Sequence, residues 1–262
     1  MRVVSICSSS KANCTYIESG GKGFLVDIGC TYKALCDGLK LAGRDVSDIS
    51  AVFITHEHSD HIGGLPMLTK KLSVPVYASE GTMNMILEKG RISAGTKLLT
   101  TEELVNAPVN VKVTAFHTPH DSAESVCYTF HDGENKIAVC TDLGHVTPEV
   151  RENLTGSRFV LLEANYDPEM MTRNMVYTYV LKQRIRSDRG HLSNGDCAAF
   201  ARELVASGTV SLLLGHLSQN NNTPETAIDA VERTLAASGA LRGKDYVLDA
   251  AAVVGSGKAI AV

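Results

Sequence analysis

The most informative stretch of this chain reads Thr55-His56-Glu57-His58-Ser59-Asp60-His61-Ile62-Gly63-Gly64. It places three histidines and an aspartate within six residues, directly after the apolar run 51–54, which is typical of a buried strand. His56 and His58 are two positions apart, so in extended backbone both face the same side and can bind one metal ion. Asp60 and His61 follow after a turn and can face a second ion. The alternative is a solvated histidine-rich loop without metal. The position of the cluster at the end of a strand disfavours that alternative.

This His-x-His-x-Asp-His motif resembles that of the metallo-β-lactamase fold, and the resemblance extends over nearly the whole chain. Within that fold the sequence resembles the branch called YycJ, WalJ or VicX, which are bacterial proteins described as metal-dependent exonucleases, and it shares features with tRNase Z. The resemblance implies an α/β (α+β) fold, an αββα sandwich, with residues 1–262 forming a single domain. The βαβ pattern in each half of the sequence agrees with that architecture.

Composition agrees with a globular enzyme. The chain has 262 residues, of which 44% are hydrophobic and 21% charged, and its net charge is −4. This balance argues against a strongly basic coat for nucleic acid, although it leaves room for a local basic track. The seven cysteines include no C-x-x-C pair, which favours free thiols in a reducing compartment. With no signal peptide and no apolar run long enough to cross a bilayer, we predict a cytoplasmic protein.

The resemblance also supplies the remaining metal ligands. Asp142 follows an apolar strand and matches the carboxylate that bridges two ions, and His216 matches the last ligand of the fold. A third histidine comes from the stretch 117–121, where spacing alone does not separate His117 from His120, and the family pattern favours His120. Asp27 matches an aspartate that braces the histidine-rich loop. Taken without the motif, Asp27 and Asp142 would read as ordinary residues at strand ends.

Together these positions imply two sites. One ion takes His56, His58, His120 and Asp142, and the other takes Asp60, His61, Asp142 and His216, with a shared water or hydroxide as nucleophile. Asp60 is therefore predicted to be both a ligand and a catalytic residue. Nitrogen and oxygen ligands without thiolate fit Zn²⁺, with Mn²⁺ or Fe²⁺ as alternatives.

Two stretches depart from the family pattern. The loop predicted over residues 7–13 has Ser9 and Ala12 where glycines are usual, although Asn13 still matches and is a candidate substrate-binding residue. In the segment 163–167, Tyr166 replaces a usual histidine. Any metal contact that this histidine makes in relatives is therefore not expected here.

The residues predicted to assist the leaving group, and most of those predicted to bind substrate, lie in the second half of the chain. His191 and Glu163 match, by motif and order, the histidine and glutamate that assist the leaving group in tRNase Z, although His191 could instead cap the helix that begins near Gly195. Basic residues precede His191 and could bind backbone phosphates, or could form an ordinary solvated helix face. The predicted substrate-binding residues in this half are Lys182, Arg184, Arg186, Ser193 and Ser218, and Arg189 adds to the basic charge.

The sequence therefore favours a dinuclear hydrolase that acts as a phosphodiesterase on nucleic acid. The resemblance to the YycJ branch implies a 5′-directed DNA exonuclease linked to DNA repair. The alternatives are a thioester or lactone hydrolase of the glyoxalase II kind, and a metal-bound module that only binds nucleic acid.

Local patterns predict several elements that frame these residues. Gly20-Gly21 indicates a hairpin turn, residues 33–42 a helix that Gly43 ends, and Asp132-Gly133 a second turn. The segments 246–249 and 250–254 are predicted as closing strands.

Overall fold

The structure is a computed structural model that describes all 262 residues. The strands are β1 Arg2–Ser9, β2 Ala12–Ser19, β3 Lys22–Val26, β4 Ile49–Phe53, β5 Val76–Ala78, β6 Leu98–Thr100, β7 Lys112–His117, β8 Val126–His131, β9 Lys136–Cys140, β10 Phe159–Glu163, β11 Ser211–Gly215, β12 Val247–Ala250 and β13 Ile260–Ala261. The helices are α1 Tyr32–Leu41, α2 Ser59–Ile62, α3 Leu65–Lys71, α4 Glu80–Glu88, α5 Pro148–Leu154, α6 Pro168–Arg173, α7 Tyr179–Arg186, α8 Asn194–Ala206 and α9 Pro224–Ala237.

The chain forms two compact units. Unit 1 comprises Met1–Ala115, Ser122–Asn135 and Ala252–Val262. Unit 2 comprises Phe116–Asp121 and Lys136–Ala251. Each unit is described by itself below.

Unit 1 contains a seven-stranded sheet in the order β13-β1-β2-β3-β4-β5-β6. Its first three strands pair antiparallel, and β3, β4, β5 and β6 pair parallel in that order. The predicted hairpin at Gly20-Gly21 is confirmed, since both glycines have positive φ, as a tight turn between antiparallel strands requires. The predicted helix over 33–42 corresponds to α1, and Gly43 follows it with a φ of +70°.

The core of unit 1 explains why β4 is rigid. Phe24, Phe53 and Phe130 are fully buried, with ring centroids 4.9 to 5.7 Å apart. Aromatic pairs at this spacing add about 0.5–1.5 kcal/mol each beyond the burial of their surface. Phe53 is the last residue of β4, so the strand that leads into the histidine-rich motif is anchored at its end.

Unit 2 is built on a parallel ladder in the order β12-β11-β10-β9. The register pairs Leu162 with Cys140 and Glu163 with Gly215. Strands β9, β10 and β11 are almost wholly apolar and buried, which is typical of parallel strands covered on both faces. The carboxyl ends of β9, β10 and β11 therefore lie side by side, and the polar residues that follow them are brought together.

Three predictions of local structure need correction. The loop predicted over 7–13 shrinks to Ser10 and Lys11, because backbone pairing extends β1 and β2 and takes in Ser8 and Asn13. The strand predicted over 250–254 is wrong beyond Ala250. There, the chain leaves the ladder and makes isolated backbone hydrogen bonds to β1 instead. The short helices α2, α5 and α6 and the strand β13 were not predicted.

Other predictions of local structure are confirmed. The turn at Asp132-Gly133 is present, with the Asp132 carboxylate accepting hydrogen bonds from the backbone of Glu134 and Asn135. None of the helices combines enough length with enough hydrophobicity to span a bilayer.

One glycine directly supports the histidine-rich motif. A Cβ on Gly29 would lie 1.7 Å from the backbone oxygen of Asp60 and 2.8 Å from the backbone nitrogen of Asn13. Ile28, the residue before Gly29, also donates a hydrogen bond from its backbone N to His61 O at 2.8 Å. Only glycine allows the end of β3 to approach the motif this closely.

We therefore expect Gly29→Ala to destabilise the fold by about 2 kcal/mol or more, the usual scale for forcing atoms into a packed site. Gly195→Ala is the matched control. Gly195 lies in α8, and the only atom close to its added Cβ is Ser193 Oγ, at 3.7 Å. Alanine there should stabilise the protein by roughly 0.5–1 kcal/mol. Urea unfolding of both variants measures the two effects, and equal stabilities would contradict the packing argument.

Candidate metal centre

The histidine-rich motif leaves the sheet at the end of β4. His56 and His61 are fully buried, whereas His58 and Asp60 are partly exposed. Helix α2 starts at Ser59, so Asp60 and His61 lie on a short helix rather than in extended chain. The motif thus presents its side chains from two directions, as the change from strand to turn predicts.

Asp27 holds this motif in place through both oxygens of its carboxylate. Oδ1 accepts a hydrogen bond from Thr55 N at 2.8 Å, and Oδ2 accepts one from Thr55 Oγ1 at 2.8 Å. His61 Nδ1 lies 2.7 Å from the same Oδ2. The bracing contact that the resemblance implied for Asp27 is therefore present, and Thr55 joins it as a residue that the sequence did not single out.

These contacts decide which ring nitrogen of His61 can bind a cation. Because Nδ1 donates to Asp27, Nε2 carries the lone pair, and it lies 3.3 Å from Asp60 Oδ2. Two ligand atoms at tetrahedral positions around zinc are roughly 3.4 Å apart. Asp60 and His61 therefore have the spacing of two ligands of one ion. Asn13 Nδ2 lies 3.2 Å from the same Nε2.

In unit 2, a similar arrangement surrounds Asp142. Its Oδ1 lies 3.6 Å from His120 Nε2 and 3.4 Å from His216 Nε2. Asp142 follows β9 and His216 follows β11, so the parallel ladder brings the two together. His120 Nδ1 lies 3.1 Å from the carbonyl oxygen of Gly190, which orients the ring so that Nε2 faces Asp142.

The choice between His117 and His120 follows from burial. His120 is 3% exposed and faces Asp142, whereas the His117 side chain is 63% exposed and lies beside Glu149. Of these two histidines, only His120 has a geometry that suits a ligand of a cation beside Asp142.

Three residues of the candidate site carry backbone strain. Three residues other than glycine have positive φ, and these are Asp27 at 59°, Asp142 at 59° and His216 at 56°. Residues other than glycine rarely adopt this left-handed backbone region, and where they do, the site is usually functional.

Buried Glu163 and half-buried His191 form a pair next to Asp142. His191 Nδ1 lies 2.7 Å from Glu163 Oε1 and 3.7 Å from Asp142 Oδ1. The other oxygen of Glu163 accepts hydrogen bonds from Leu143 N and Leu192 N, so this carboxylate is fixed by three donors. Its full burial and its three partners explain why the pair is rigid.

The pair also sets the protonation of His191. Burial by itself lowers the pKa of this imidazole, but the charge and hydrogen bond of Glu163, with the charges of Asp142 and Asp121, raise the pKa to about 9. Cations held at Asp142 would oppose this shift by cancelling part of the negative charge. The alternative that His191 caps α8 is not supported, because Ser193 accepts the capping hydrogen bond from Asp196 N.

The other predicted substrate-binding residues have internal partners. Asn13 donates to Ser9 O at 2.9 Å, Ser193 caps α8, and Ser218 Oγ accepts from Asn220 N and Asn221 N. All three side chains are buried. Their roles in substrate binding stay predictions.

The four basic residues before His191 differ in their contacts. Lys182 and Arg186 contact only uncharged groups of α6 and of the segment after it. Arg184 forms an ion pair with Asp121, and Arg189 donates two hydrogen bonds to His120 O. Arg189 therefore positions a ligand, and the charge of Arg184 is largely compensated.

Two further residues matter that sequence patterns did not single out as site residues. Asn165 Nδ2 donates to His216 O at 2.9 Å, and Asn165 O accepts from Ser218 N, so Asn165 holds the strained turn that carries His216. Glu57, between the first two histidines, accepts a hydrogen bond from Ala123 N at 2.9 Å. Tyr166 packs with Met171 and Ile185 in a small apolar cluster, so it provides no replacement for the histidine found in relatives.

The donor sets fit divalent cations. Unit 1 offers imidazole and carboxylate atoms at His56, His58, Asp60 and His61, and unit 2 offers Asp142, Glu163, His191 and His216 with their candidate ligand atoms within 4.8 Å of one another. Imidazole with carboxylate and without thiolate suits Zn²⁺, Mn²⁺ and Fe²⁺.

Comparisons with known proteins agree with this arrangement. The model of the beta-lactamase superfamily domain matches residues 25–216. The exodeoxyribonuclease YycJ of Bacillus anthracis is 35% identical over 235 residues, which cover 89% of this chain and 89% of that protein. The exodeoxyribonuclease WalJ of Streptococcus pneumoniae is 32% identical over 244 residues, covering 92% of this chain and 90% of that protein.

Solved structures show the same fold. The metallo-beta-lactamase fold protein YhfI from Bacillus subtilis has a TM-score of 0.71 at 17% identity, covering 99% of this chain and 98% of that chain. The predicted αββα sandwich is thereby confirmed, as is the resemblance to the YycJ and WalJ branch. The chain therefore belongs to the beta-lactamase superfamily and is a metal-dependent hydrolase of that fold.

Proposed function

We propose that this protein is a dinuclear phosphodiesterase that degrades nucleic acid, with DNA as the substrate and the 5′ end as the starting point. The observation that carries the proposal is the pair of half-buried His191 and buried Glu163, 2.7 Å apart, placed beside Asp142. A metal-ligand carboxylate and a proton donor in one place suit a reaction that breaks a P–O bond with a poor leaving group.

We propose that residues 1–262 form a single catalytic domain. As the family resemblance implies, His56, His58, His120 and Asp142 would hold one ion, and Asp60, His61, Asp142 and His216 would hold the other. Such ions lower the pKa of a coordinated water, so that a nucleophile is available near neutral pH. Zn²⁺ fits these donors best, and Mn²⁺ is the second candidate.

In this proposal His191 donates a proton to the leaving oxygen. Glu163 fixes Nδ1 of the imidazole, so the opposite nitrogen, Nε2, is the atom that faces substrate. The leaving alkoxide of a sugar is a strong base, because the sugar hydroxyl has a high pKa. A positioned acid speeds its departure by about 10²–10⁴-fold. The same pair stabilises negative charge that develops on the phosphate.

The nature of the leaving group distinguishes this function from the main alternative. A thiolate leaves without protonation at neutral pH, because a thiol has a pKa near 8.5. A positioned proton donor is therefore of little use to a thioester hydrolase. A lactone hydrolase releases an alkoxide and stays a candidate, and so does a module that binds nucleic acid without cleaving it.

Two further observations support a DNA substrate in the cytoplasm. The relatives YycJ and WalJ are named exodeoxyribonucleases and align over about nine tenths of both chains. All seven cysteines are unpaired, which suits a reducing compartment. A role in DNA repair would follow from an exonuclease of this kind.

A panel of substrates tests the reaction class. We expect the protein with Zn²⁺ or Mn²⁺ to hydrolyse bis(p-nitrophenyl) phosphate, and to act on a lactone and a thioester at least about 10²-fold more slowly. Single strands of DNA and RNA, labelled at either end, then report the polymer and the direction of cleavage. Hydrolysis of the lactone alone would contradict the proposal.

Asp142→Asn tests whether one carboxylate serves both ions. Asparagine tolerates the left-handed backbone at this position, so the fold should persist. The wild type should hold about two ions per chain, measured by mass spectrometry after gel filtration. We expect Asp142→Asn to lose occupancy at both metal sites together. Asp229→Asn removes an exposed carboxylate of α9 that pairs with Arg233 and should keep both ions. Two ions in Asp142→Asn would refute the bridging role.

His191→Ala tests the proton donor. We expect both ions to be retained and kcat for DNA to fall by about 10²-fold or more. Exposed His145 in the same unit provides the matched control, and His145→Ala should keep most of the activity. Loss of an ion from His191→Ala would make His191 a ligand, and unchanged kcat would make it structural.

A further inference from the structure

We propose that the segment joining α6 to α7, with the first turn of α7, is a stacking platform for a single strand of nucleic acid whose end lies at His191. The platform consists of Met175, Val176, Tyr179 and Val180. The inference rests on the proposed function, because it assigns the part of the substrate that lies beyond the reacting phosphate.

These side chains are unusually exposed for their type. Met175 is 94% exposed, Val176 87%, Tyr179 76% and Val180 75%. Twelve large apolar side chains of the chain are exposed, and four of them fall within these six consecutive residues. Scattered exposure of single apolar residues is ordinary, whereas four exposed within six consecutive residues form a local group of the kind that marks binding surfaces.

The platform is held in a defined conformation. Asn174 Oδ1 accepts hydrogen bonds from Val176 N at 2.7 Å and Tyr177 N at 2.9 Å. Lys182 Nζ donates to the carbonyl oxygens of Thr172 and Asn174. Beneath the platform, Tyr177 and Leu181 pack against the small apolar cluster around Tyr166. The exposed side chains are therefore fixed outward by contacts of their neighbours.

Charge indicates which partner covers this surface. Lys182 and Arg186 contact only uncharged oxygens, so they leave positive charge along α7. A polyanion is attracted to such a surface, whereas a second copy of this chain would bring the same positive charge against it. Aromatic and apolar side chains next to cations are what single-stranded nucleic acid binds, with bases stacked and phosphates on the cations.

The helix sets the distance between platform and site. The carbonyl oxygen of Ile185, near the end of α7, accepts a hydrogen bond from His191 N at 2.9 Å. Tyr179 begins the same helix six residues before Ile185, so about 9 Å of helix and this hydrogen bond, about 12 Å together, separate Tyr179 from His191 N. At about 3.4 Å per stacked nucleotide, this distance corresponds to three or four nucleotides. A strand with its terminal phosphate at His191 thus reaches Tyr179 with its third or fourth base.

A double-mutant cycle, which combines a substitution in the protein with an abasic site in the DNA, tests this placement. The probes are single-stranded 12-mers with phosphorothioate linkages, which resist cleavage, each carrying one abasic position from 1 to 6. Their Kd is measured by fluorescence anisotropy with the metal-loaded protein. We expect an abasic site at position 3 or 4 to weaken binding to the wild type by about tenfold, the scale of losing one stacked base.

Tyr179→Ala should weaken binding of the intact strand by a similar factor, with no further loss from the abasic site. Tyr179→Phe keeps the ring and should bind within about twofold of the wild type. Neither variant removes a charge, so the dependence of Kd on salt should not change. Val105→Ala alters a side chain in unit 1 that is 88% exposed and serves as the control with unchanged binding.

The outcomes separate the platform from the proposed function. Unchanged Kd for Tyr179→Ala in a protein that cleaves phosphodiesters overturns the platform alone. The abasic pattern in a wild-type protein that cleaves no phosphodiester supports the platform and overturns the proposed function. If Tyr179→Ala abolishes a concentration-dependent dimer and leaves Kd unchanged, the surface belongs to a second copy and the platform is overturned.

Discussion

The carboxylate of Asp27 is the contact on which the histidine-rich motif depends. It accepts hydrogen bonds from the backbone and side chain of Thr55 and from His61 Nδ1. A buried carboxylate is costly unless its oxygens are satisfied, and here three donors satisfy them. The same contacts fix the tautomer of His61, so a carboxylate that is not itself a predicted ligand determines which ring nitrogen faces the cation site.

The second unit fixes the positions of its candidate site residues through its sheet. Parallel strands end at one edge, and register places Asp142, Glu163 and His216 after or at the ends of three neighbouring strands. Side chains that donate hydrogen bonds to backbone carbonyl groups then set the details, such as Asn165 Nδ2 to His216 O and Arg189 to His120 O. The chemistry is thus carried by loops, and the accuracy of their placement comes from the rigid ladder beneath them.

Much of this arrangement could be predicted from sequence because its signals are local. The motif around His56 is a short pattern, and Gly20-Gly21 and Gly43 act within one turn. The choice of His120 over His117 needed the fold, since only burial and the distance to Asp142 separate two histidines three residues apart.

Contacts between distant segments were harder to foresee. Arg184 reads as a free cation in sequence, but Asp121 pairs with it across 63 residues. The loop expected before Asn13 proved to be strand, because pairing of β1 with β2 outweighs the weak strand preference of its serines. The closing segment after Ala250 looked like strand by composition, but from Ala252 onward its backbone hydrogen bonds go to Ser8 and Ile6 of β1 instead of to β11.

The left-handed backbone at Asp142 and His216 has a consequence for evolution in the laboratory. Each such residue costs of order 1–2 kcal/mol relative to glycine, and a cation bound at the proposed site would offset that cost. Asp27 differs, because its three hydrogen bonds offset the cost even without a cation. Selection for heat resistance alone, with no requirement for turnover, would therefore favour glycine at 142 and 216 and keep aspartate at 27. The conflict between thermal robustness and activity is confined to a few identifiable positions in this protein.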